Sequence, residues 1–137
     1  MIRYLELTLI LGLFFSAPSS LRADTSSDIQ KIISDQLAAF LQNDLETAFE
    51  FASPSIQGMF MSPDNFGRMV KQGYPMVWRQ KEFRFLGLTR QSYGYDQIVM
   101  FKDLNGRSHY LKYAMTQLSD GWRINGVVFL KPSDFSA

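Results

Sequence analysis

The side chains that most often act as nucleophiles, general bases or metal ligands are scarce in this chain of 137 residues. It contains no cysteine, and His109 is its one histidine. Cysteine chemistry is therefore excluded, and a metal site would need carboxylates for nearly all of its ligands. We expect no bound metal and no cofactor. We interpret His109 as an exposed residue at a strand end, roughly opposite Lys102, rather than as an acid or base.

The segment Asp103–Gly106 has two residues typical of a calcium-binding loop, but it lacks the further oxygen ligands and the distal glutamate of such a loop. We interpret it as a turn. A single histidine also gives no basis for a Ser-His-Asp arrangement, and no glycine-rich phosphate loop is present in the sequence. The net charge of +1 gives no electrostatic reason to expect nucleic acid as a partner.

Aromatic and methionine side chains are the best candidates for a binding site. Small-molecule sites are mostly apolar, with a few polar groups that orient the ligand, and tyrosine supplies such a hydroxyl. The candidates for lining a cavity between helices and sheet are Tyr74, Trp78, Phe83, Phe85, Met100, Tyr113 and Met115. The alternative is ordinary core packing, because these residue types are common in protein interiors with or without a void.

These candidates must be positioned by a sheet, and two dipeptides predict its strands. Asn105–Gly106 and Asp120–Gly121 suit the central positions of a type I′ turn, so they predict two hairpins and three strands between residues 95 and 130. An earlier strand contains Phe83 and Phe85, with a bulge or bend at Gly87. With two-residue loops, the facing pairs would be Met100 and Leu111, Ile98 and Tyr113, Met115 and Gly126, and Tyr113 and Val128.

This register predicts which side of the sheet is buried, because alternate strand residues share a face. The predicted core face carries Ile98, Met100, Leu111, Tyr113, Met115, Ile124, Val128 and Leu130. The opposite face includes an apolar patch of Val99, Phe101, Tyr110, Val127 and Phe129. A freely solvated sheet face is usually more polar, so we expect this patch to form a homodimer contact.

Helices are predicted to cover the core face of the sheet. An apolar stripe repeats at intervals of three and four residues, at Ile29, Ile32, Ile33, Leu37, Phe40 and Leu41. It predicts an amphipathic helix of about four turns that follows the polar segment Asp24–Asp28. Three shorter helices are predicted over residues 45–52 and from Pro54 and Pro63, where proline suits a first helical turn. Tyr74–Pro75 predicts extended or turning chain.

Residues 1–23 have the form of a secretory signal, with Arg3 near the start, an apolar run at 7–15, and small residues before Ala23. Cleavage after Ala23 would leave residues 24–137 as one α+β domain. The alternative is an uncleaved anchor or a buried first helix, but the apolar run is shorter than the roughly 20 residues that a membrane helix needs. We therefore expect an exported protein, periplasmic or secreted, with no stable membrane insertion.

Four groups of residues resemble those of a known family: Gln36–Phe40, Asp44 with Ala48–Pro54, Phe66–Val70 with Gly73–Tyr74, and Asp120–Ile124 with Gly126–Val127. Together they are similar to the exported domain-of-unknown-function family 4864. The order of helices before strands resembles the nuclear transport factor 2-like superfamily. The resemblance implies an α+β fold, in which N-terminal helices pack on a curved antiparallel sheet of about four strands. It implies no reaction, because that family has no established activity or binding residues.

Enzymes of that superfamily pair a pocket carboxylate with tyrosine hydroxyls, so the resemblance raises one catalytic alternative: an isomerase- or hydratase-like site of Asp44 with Tyr74 or Tyr113. Asp44 also follows a helix break, where an N-cap is the simpler interpretation. We favour a noncatalytic exported domain that binds a small apolar ligand or a protein partner. The expected ligand contacts are Tyr74, Trp78, Phe85, Met100, Tyr113 and Met115.

Overall fold

The protein consists of a helical layer followed by a four-stranded sheet. The computed structural model describes Gly12 and residues 19–134, with side chains from residue 24 onward. Within that part, the helices are α1 (Ser19–Leu41), α2 (Leu45–Glu50), α3 (Pro54–Phe60), α4 (Pro63–Gly73) and α5 (Pro75–Trp78). The strands are β1 (Glu82–Gln91), β2 (Gly94–Lys102), β3 (Ser108–Leu118) and β4 (Gly121–Leu130), followed by a 3-10 turn at Pro132–Asp134. The predicted α+β fold is confirmed.

The predicted signal sequence lies outside the described residues, apart from Gly12 and the helical backbone of residues 19–23. The prediction that α1 begins after the polar segment Asp24–Asp28 is wrong, because the helix runs through that segment without a break. The side chains of the segment are exposed or half-buried, so a helix can accommodate them facing solvent. No helix in the described part of the chain is long and apolar enough to cross a membrane.

The short helices begin at the residues that the sequence indicates. Asp44, Ser53 and Ser62 cap α2, α3 and α4, and each side chain accepts a hydrogen bond from the backbone N–H three residues later. The backbone of Tyr74 is non-helical, with φ −135° and ψ 57°. The predicted extended or turning chain is therefore a single turning residue between two helices, because Pro75 occupies the first turn of a further short helix, α5.

The sheet is an antiparallel meander in the order β1-β2-β3-β4. Its inner face packs against the apolar stripe of α1, and the two layers form one core. The buried strand residues of this core are Val99, Phe101, Leu111, Tyr113, Met115, Trp122 and Ile124. The buried α1 residues that join them are Ile29, Ile33, Leu37, Ala39 and Phe40. The helical layer therefore covers one face of the sheet, as predicted.

The predicted irregularity at Gly87 is confirmed. The pairing of β1 with β2 shifts between Phe85 and Leu88. The side-chain amide of Gln97, which is fully buried, donates hydrogen bonds to the carbonyl oxygens of Leu86 at 3.1 Å and Gly87 at 3.2 Å. A buried amide thus satisfies backbone acceptors that the bulge removes from the strand ladder.

The loop between β2 and β3 is longer than the two residues predicted, because Lys102 pairs with Ser108. The Oδ1 atom of Asp103 accepts hydrogen bonds from the backbone N–H groups of Asn105 and Arg107, both at 2.9 Å. A carboxylate that satisfies two backbone donors stabilises this wider turn. The segment is therefore a turn, as interpreted from the sequence, but not a two-residue one.

The wider loop shifts the register by one residue, which reverses the two faces of β2. Val99 lies opposite Leu111, where Met100 was expected. Val99 and Phe101 are consequently buried beneath the helices. Ile98 and Met100 lie on the opposite face, by the alternation of the strand. The predicted core face is therefore wrong for β2.

The hairpin between β3 and β4 turns at Ser119–Asp120, one residue earlier than predicted, because Leu118 pairs with Gly121. Gly121 has a φ of 130°, a conformation that glycine adopts without a steric penalty. Met115 lies opposite Ile124, and both are buried, so the predicted core face is correct next to this turn.

A bulge in β4 reverses the alternation further along the strand. Ile124 pairs with Met115, and Gly126 pairs with the neighbouring Ala114. Asn125 therefore has no partner of its own and is the extra residue of the bulge. Beyond it, Val127 packs against the core and Val128 is exposed. The predicted core residues that face the other way are Val128 and Leu130.

The five residues expected to form a homodimer contact do not share one surface. Val99 and Phe101 are buried in the core, and Val127 packs against it. Phe129 follows the same inner alternation, whereas Tyr110 lies opposite Met100 on the outer face. The register and the bulge together explain why this patch cannot be built from these residues.

Candidate functional site

A cavity of about 260 Å³ lies between the helical layer and one end of the sheet. Its volume is about nine times the share of one water molecule in the liquid, which suits a small organic molecule. The residues that line it are Gln36, Phe40, Ile56, Met59, Phe60, Phe66, Met69, Val70, Tyr74, Val77, Tyr113, Ile124, Gly126, Val127 and Val128. Met59 is 69% exposed and Val128 is 50% exposed, so the cavity reaches solvent between α3 and β4.

Helix α3 forms the outer wall of this cavity, and none of its residues is buried. Polar contacts hold it in place. The Ser53 hydroxyl donates to Oδ1 of Asn125 at 2.7 Å, and the side-chain amide of Gln57 donates to the carbonyl oxygens of Phe49 and Ala52, each at 3.0 Å. The Ser53 contact joins the cap of α3 to the bulge residue of β4. The bulge therefore sets both the wall contributed by β4 and the position of the helix that faces it.

The opposite wall includes the junction of α4 and α5. Here the Tyr74 hydroxyl donates a hydrogen bond of 3.0 Å to the carbonyl oxygen of Val127. The Tyr74 ring also stacks on Phe129, with ring centroids 5.0 Å apart and ring planes 7° from parallel. Tyr74 thus fixes the helical layer to β4 beside the cavity.

Two further polar side chains line the cavity and are almost fully buried. Gln36 is 4% exposed, and its Nε2 atom donates to the carbonyl oxygen of Ala48 at 3.0 Å. Tyr113 is 1% exposed, and its hydroxyl makes no hydrogen bond to any residue that the structure describes. The cavity therefore presents an apolar surface with one phenol whose hydrogen-bonding capacity is unused within the described chain.

The electrostatics of the cavity are those of a neutral site. Among the lining residues that the structure describes, none is aspartate, glutamate, lysine, arginine or histidine. Burial raises the pKa of Tyr113, and its proximity to Tyr74 raises that pKa further. The Tyr113 hydroxyl therefore stays protonated near neutral pH and can act as a hydrogen-bond donor.

The structure brings together two of the six predicted ligand contacts, Tyr74 and Tyr113, and places the other four outside the cavity. Met115 is fully buried in the core. Met100 is buried on the other face of the sheet. Phe85 lies on β1, where it packs edge to face with Phe83, a further candidate, at 5.6 Å between ring centroids.

Trp78 has a structural environment of its own beside the end of α1. Its ring packs against Phe40 at 5.7 Å between centroids, and the cationic groups of Lys71 and Arg79 lie 4.7 and 4.2 Å from its centre. Arg79 also donates to the carbonyl oxygen of Phe40 at 2.8 Å and bonds to the side chain of Asn43. This group satisfies acceptors at the end of α1, so Trp78 packs as part of a helix C-terminus.

Asp44, the residue of the catalytic alternative, is not among the residues that line the cavity with Tyr74 and Tyr113. It lines a separate surface depression beside Asp35 and Thr47. Its carboxylate accepts a hydrogen bond of 3.2 Å from the backbone N–H of Thr47, and hydrogen bonds to Thr47 lower the pKa of Asp44. The predicted capping role is confirmed.

His109 lies opposite Phe101 and is half-buried, not exposed opposite Lys102 as expected. Its Nε2 atom is 2.8 Å from Oδ2 of Asp103, in the loop between β2 and β3. The shifted register explains the difference, because it brings His109 beside that carboxylate. The described residues contain no group of three or more histidine, aspartate or glutamate side chains that could hold a metal ion.

Most residues of the cavity were missed from the sequence because they were indistinguishable from ordinary core residues. Gln36 is the one of these missed residues whose type differs from that of an ordinary core residue. It lies four residues before Phe40 and three after Ile33, both of which belong to the buried stripe of α1. A glutamine at such an interior position needs a polar partner or a polar neighbour. That break in the stripe was the available signal.

Comparison with known proteins gives a family but no described relative. Searches of curated proteins and of solved structures found no match. The family model described as Domain of unknown function (DUF4864) matches residues 22–137, which include all the described helices and strands except the first turn of α1. The chain therefore belongs to the DUF4864 family.

Proposed function

We propose that the protein is an exported, noncatalytic domain that binds a small apolar ligand in the cavity between α3 and β4. The observation that carries this proposal is the lining itself, with apolar walls and three polar side chains, Gln36, Tyr74 and Tyr113. Sites for small molecules commonly have this composition. Phenol and amide groups are suited to orienting a ligand, whereas the described lining holds no carboxylate or imidazole that could act as a general base.

Export is the second part of the proposal, and it rests on the sequence of residues 1–23, with its early arginine, apolar run and small residues before Ala23. We also propose the nuclear transport factor 2-like superfamily as the wider group. The support for it is the order of short helices before a four-stranded antiparallel meander. Intact-mass measurement of protein recovered from the exported fraction tests the first of these statements. The expected mass is that of a chain that begins at Asp24. The mass of the uncleaved chain would contradict the proposed export.

Binding can be tested with a neutral apolar fluorophore, N-phenyl-1-naphthylamine, and protein expressed from the full-length chain. We expect a fluorescence increase that saturates at one probe per chain. Ile56→Trp places a larger side chain in the wall formed by α3, so it should weaken probe binding at least about tenfold. Leu86→Trp is the matched control, because Leu86 is exposed on β1 and does not line the cavity.

Two results would contradict the proposed site. One is a probe signal that rises without saturating in the unmodified protein. The other is equal weakening by Ile56→Trp and Leu86→Trp, with thermal unfolding confirming that both variants are folded. In either case the fluorophore would be reporting general surface hydrophobicity rather than this cavity.

A further inference from the structure

The Tyr113 hydroxyl indicates what class of ligand the cavity can bind. The side chain comes from the middle of β3 and is 1% exposed, yet its hydroxyl has no hydrogen-bond partner among the described residues. Among the described residues, the one fully buried polar side-chain atom without a hydrogen-bond partner is Oε1 of Gln80, so the Tyr113 hydroxyl is not sealed in the core but faces the cavity. A ligand in the cavity can therefore form a hydrogen bond with this hydroxyl.

The other two polar side chains of the lining each already donate one hydrogen bond. The Tyr74 hydroxyl donates to Val127, and the Nε2 atom of Gln36 donates to Ala48. Among the lining residues that the structure describes, the Tyr113 phenol is therefore the hydroxyl whose donor is unused, and the Gln36 amide retains a second N–H beside it. The side-chain oxygen Oε1 of Gln36 accepts no hydrogen bond from a described residue either, so it offers an acceptor in the same wall.

The charge of the ligand follows from the same lining. An ionised carboxylate or phosphate placed in an apolar cavity needs a cationic partner to offset the loss of hydration. The described lining contains no lysine, arginine or histidine, and an ammonium group would find no carboxylate there. Both kinds of ion are therefore disfavoured, and a neutral oxygen acceptor is the group that matches the free phenol.

We propose that the cavity selects uncharged carbonyl or hydroxyl compounds, whose oxygen accepts a hydrogen bond from Tyr113 while the rest of the molecule fills the apolar walls. This inference rests on the proposed function, because it assigns a ligand class to the same cavity. It gives Tyr113 the role of a specificity-determining residue. Tyr74 has a structural role at the adjoining wall.

Three bicyclic compounds of similar shape can separate the effects of a hydrogen-bond acceptor, of apolar contact and of charge on binding. Each is tested by its displacement of N-phenyl-1-naphthylamine. They are 2-acetylnaphthalene, a neutral ketone, 2-ethylnaphthalene, which has no acceptor, and 2-naphthoate, an anion at neutral pH. We expect the ketone and the hydrocarbon to displace the probe from protein expressed from the full-length chain. We expect 2-naphthoate to bind at least about tenfold more weakly than the ketone.

Tyr113→Phe should weaken binding of the ketone about three- to tenfold, the effect of losing one hydrogen bond, and leave binding of the hydrocarbon unchanged. Tyr95→Phe is the control, because Tyr95 does not line the cavity. The inference is overturned if Tyr113→Phe affects ketone and hydrocarbon equally, if 2-naphthoate competes as well as the ketone, or if no ketone displaces a bound probe. In those cases saturable probe binding blocked by Ile56→Trp would still support the proposed function. Absence of probe binding to the unmodified protein would overturn both.

Discussion

The Tyr74 hydroxyl donates to the carbonyl oxygen of Val127 at 3.0 Å, across 53 residues of sequence. This bond joins the end of α4 to β4 at the point where the bulge has turned Val127 toward the helices. The neighbouring phenol, Tyr113, makes no such bond within the described chain. The hydroxyls of these two tyrosines, which line one cavity, therefore contribute differently to stability, and a pair of matched substitutions can measure the difference.

Tyr74→Phe should lower the free energy of unfolding by about 0.5–1.5 kcal/mol, because it removes one hydrogen bond. Tyr113→Phe should leave that free energy nearly unchanged, because the Tyr113 hydroxyl has no hydrogen bond to a described residue to lose. Urea denaturation of the two variants in the absence of added ligand measures both effects. A loss from Tyr113→Phe as large as that from Tyr74→Phe would show that the Tyr113 hydroxyl is already satisfied within the protein.

Gly94, at the start of β2, should tolerate no larger side chain. Its φ is 145°, and a Cβ atom built there would lie 2.1 Å from the carbonyl oxygen of Met115. Gly94→Ala is therefore expected to destabilise the protein by about 3 kcal/mol or more, since it combines backbone strain with a clash against backbone. The drop in thermal midpoint measures the effect.

Gly73→Ala provides the control for that substitution. Gly73 lies in α4, and nothing is within 4 Å of its added Cβ atom. Alanine there should leave stability unchanged or raise it by up to about 1 kcal/mol, because it restricts the unfolded chain and favours a helix. Equal thermal midpoints for the two variants would contradict the close approach of Gly94 to β3.

Asp44→Ala tests the capping role against the catalytic alternative. Loss of the bond to the N–H of Thr47 should cost about 1 kcal/mol of stability. Binding of N-phenyl-1-naphthylamine should not change, because Asp44 does not line the cavity. Asp44→Ser should recover most of the lost stability, since serine is also a good N-cap. Weaker probe binding that Asp44→Ser does not restore would indicate a direct role for the carboxylate in the site.

The loop between β2 and β3 should be sensitive to acid. Hydrogen bonds from His109 and from the N–H of Arg107 lower the pKa of Asp103 below its ordinary value of 3.8. A carboxyl whose pKa is lower in the folded state stabilises that state above the unfolded pKa, and its contribution is lost as pH falls through the folded value. The stabilisation that Asp103 provides is therefore expected to be lost below about pH 4.

Carbon-13 NMR of the Asp103 carboxyl group measures this directly. Its titration midpoint should lie below that of an ordinary aspartate and should move upward in His109→Ala, since the hydrogen bond from His109 is the largest cause of the shift. The two remaining backbone donors, Asn105 and Arg107, should keep the midpoint from returning fully. Identical midpoints in the two proteins would exclude His109 as the cause.

The elements that the sequence predicted well are those with a local physical signal. The stripe at Ile29, Ile33, Leu37 and Phe40 predicted the buried side of α1, and proline with a preceding serine predicted the starts of α3 and α4. Gly87 predicted the irregularity of β1. These features depend on residues close together in the chain, so the pattern alone carries the information.

The sheet register was predicted poorly because loop length depended on a competing side chain. Asn105–Gly106 suits a two-residue turn, but Asp103 bonds to two backbone N–H groups and closes a wider loop. One residue of shift then placed Val99 and Phe101 inside, contrary to prediction. The cavity was less predictable still, because a void depends on how α3 packs over β4 rather than on residue type.

The bulge at Asn125 determines which residues at the end of β4 face the core. If Asn125 were paired as a regular strand residue instead of bulged, strict alternation would place Val128 where Val127 now contacts the core, and Val127 would turn outward. The Tyr74 bond and the Ser53 contact both depend on that same point. Loss of the bulge with every residue retained would thus exchange the inner and outer residues at this end of β4 in a single discrete step, whereas deletion of Asn125 itself would leave Val127 facing inward. The choice between a bulged and a regular strand at residue 125 therefore decides which β4 side chains face the helices.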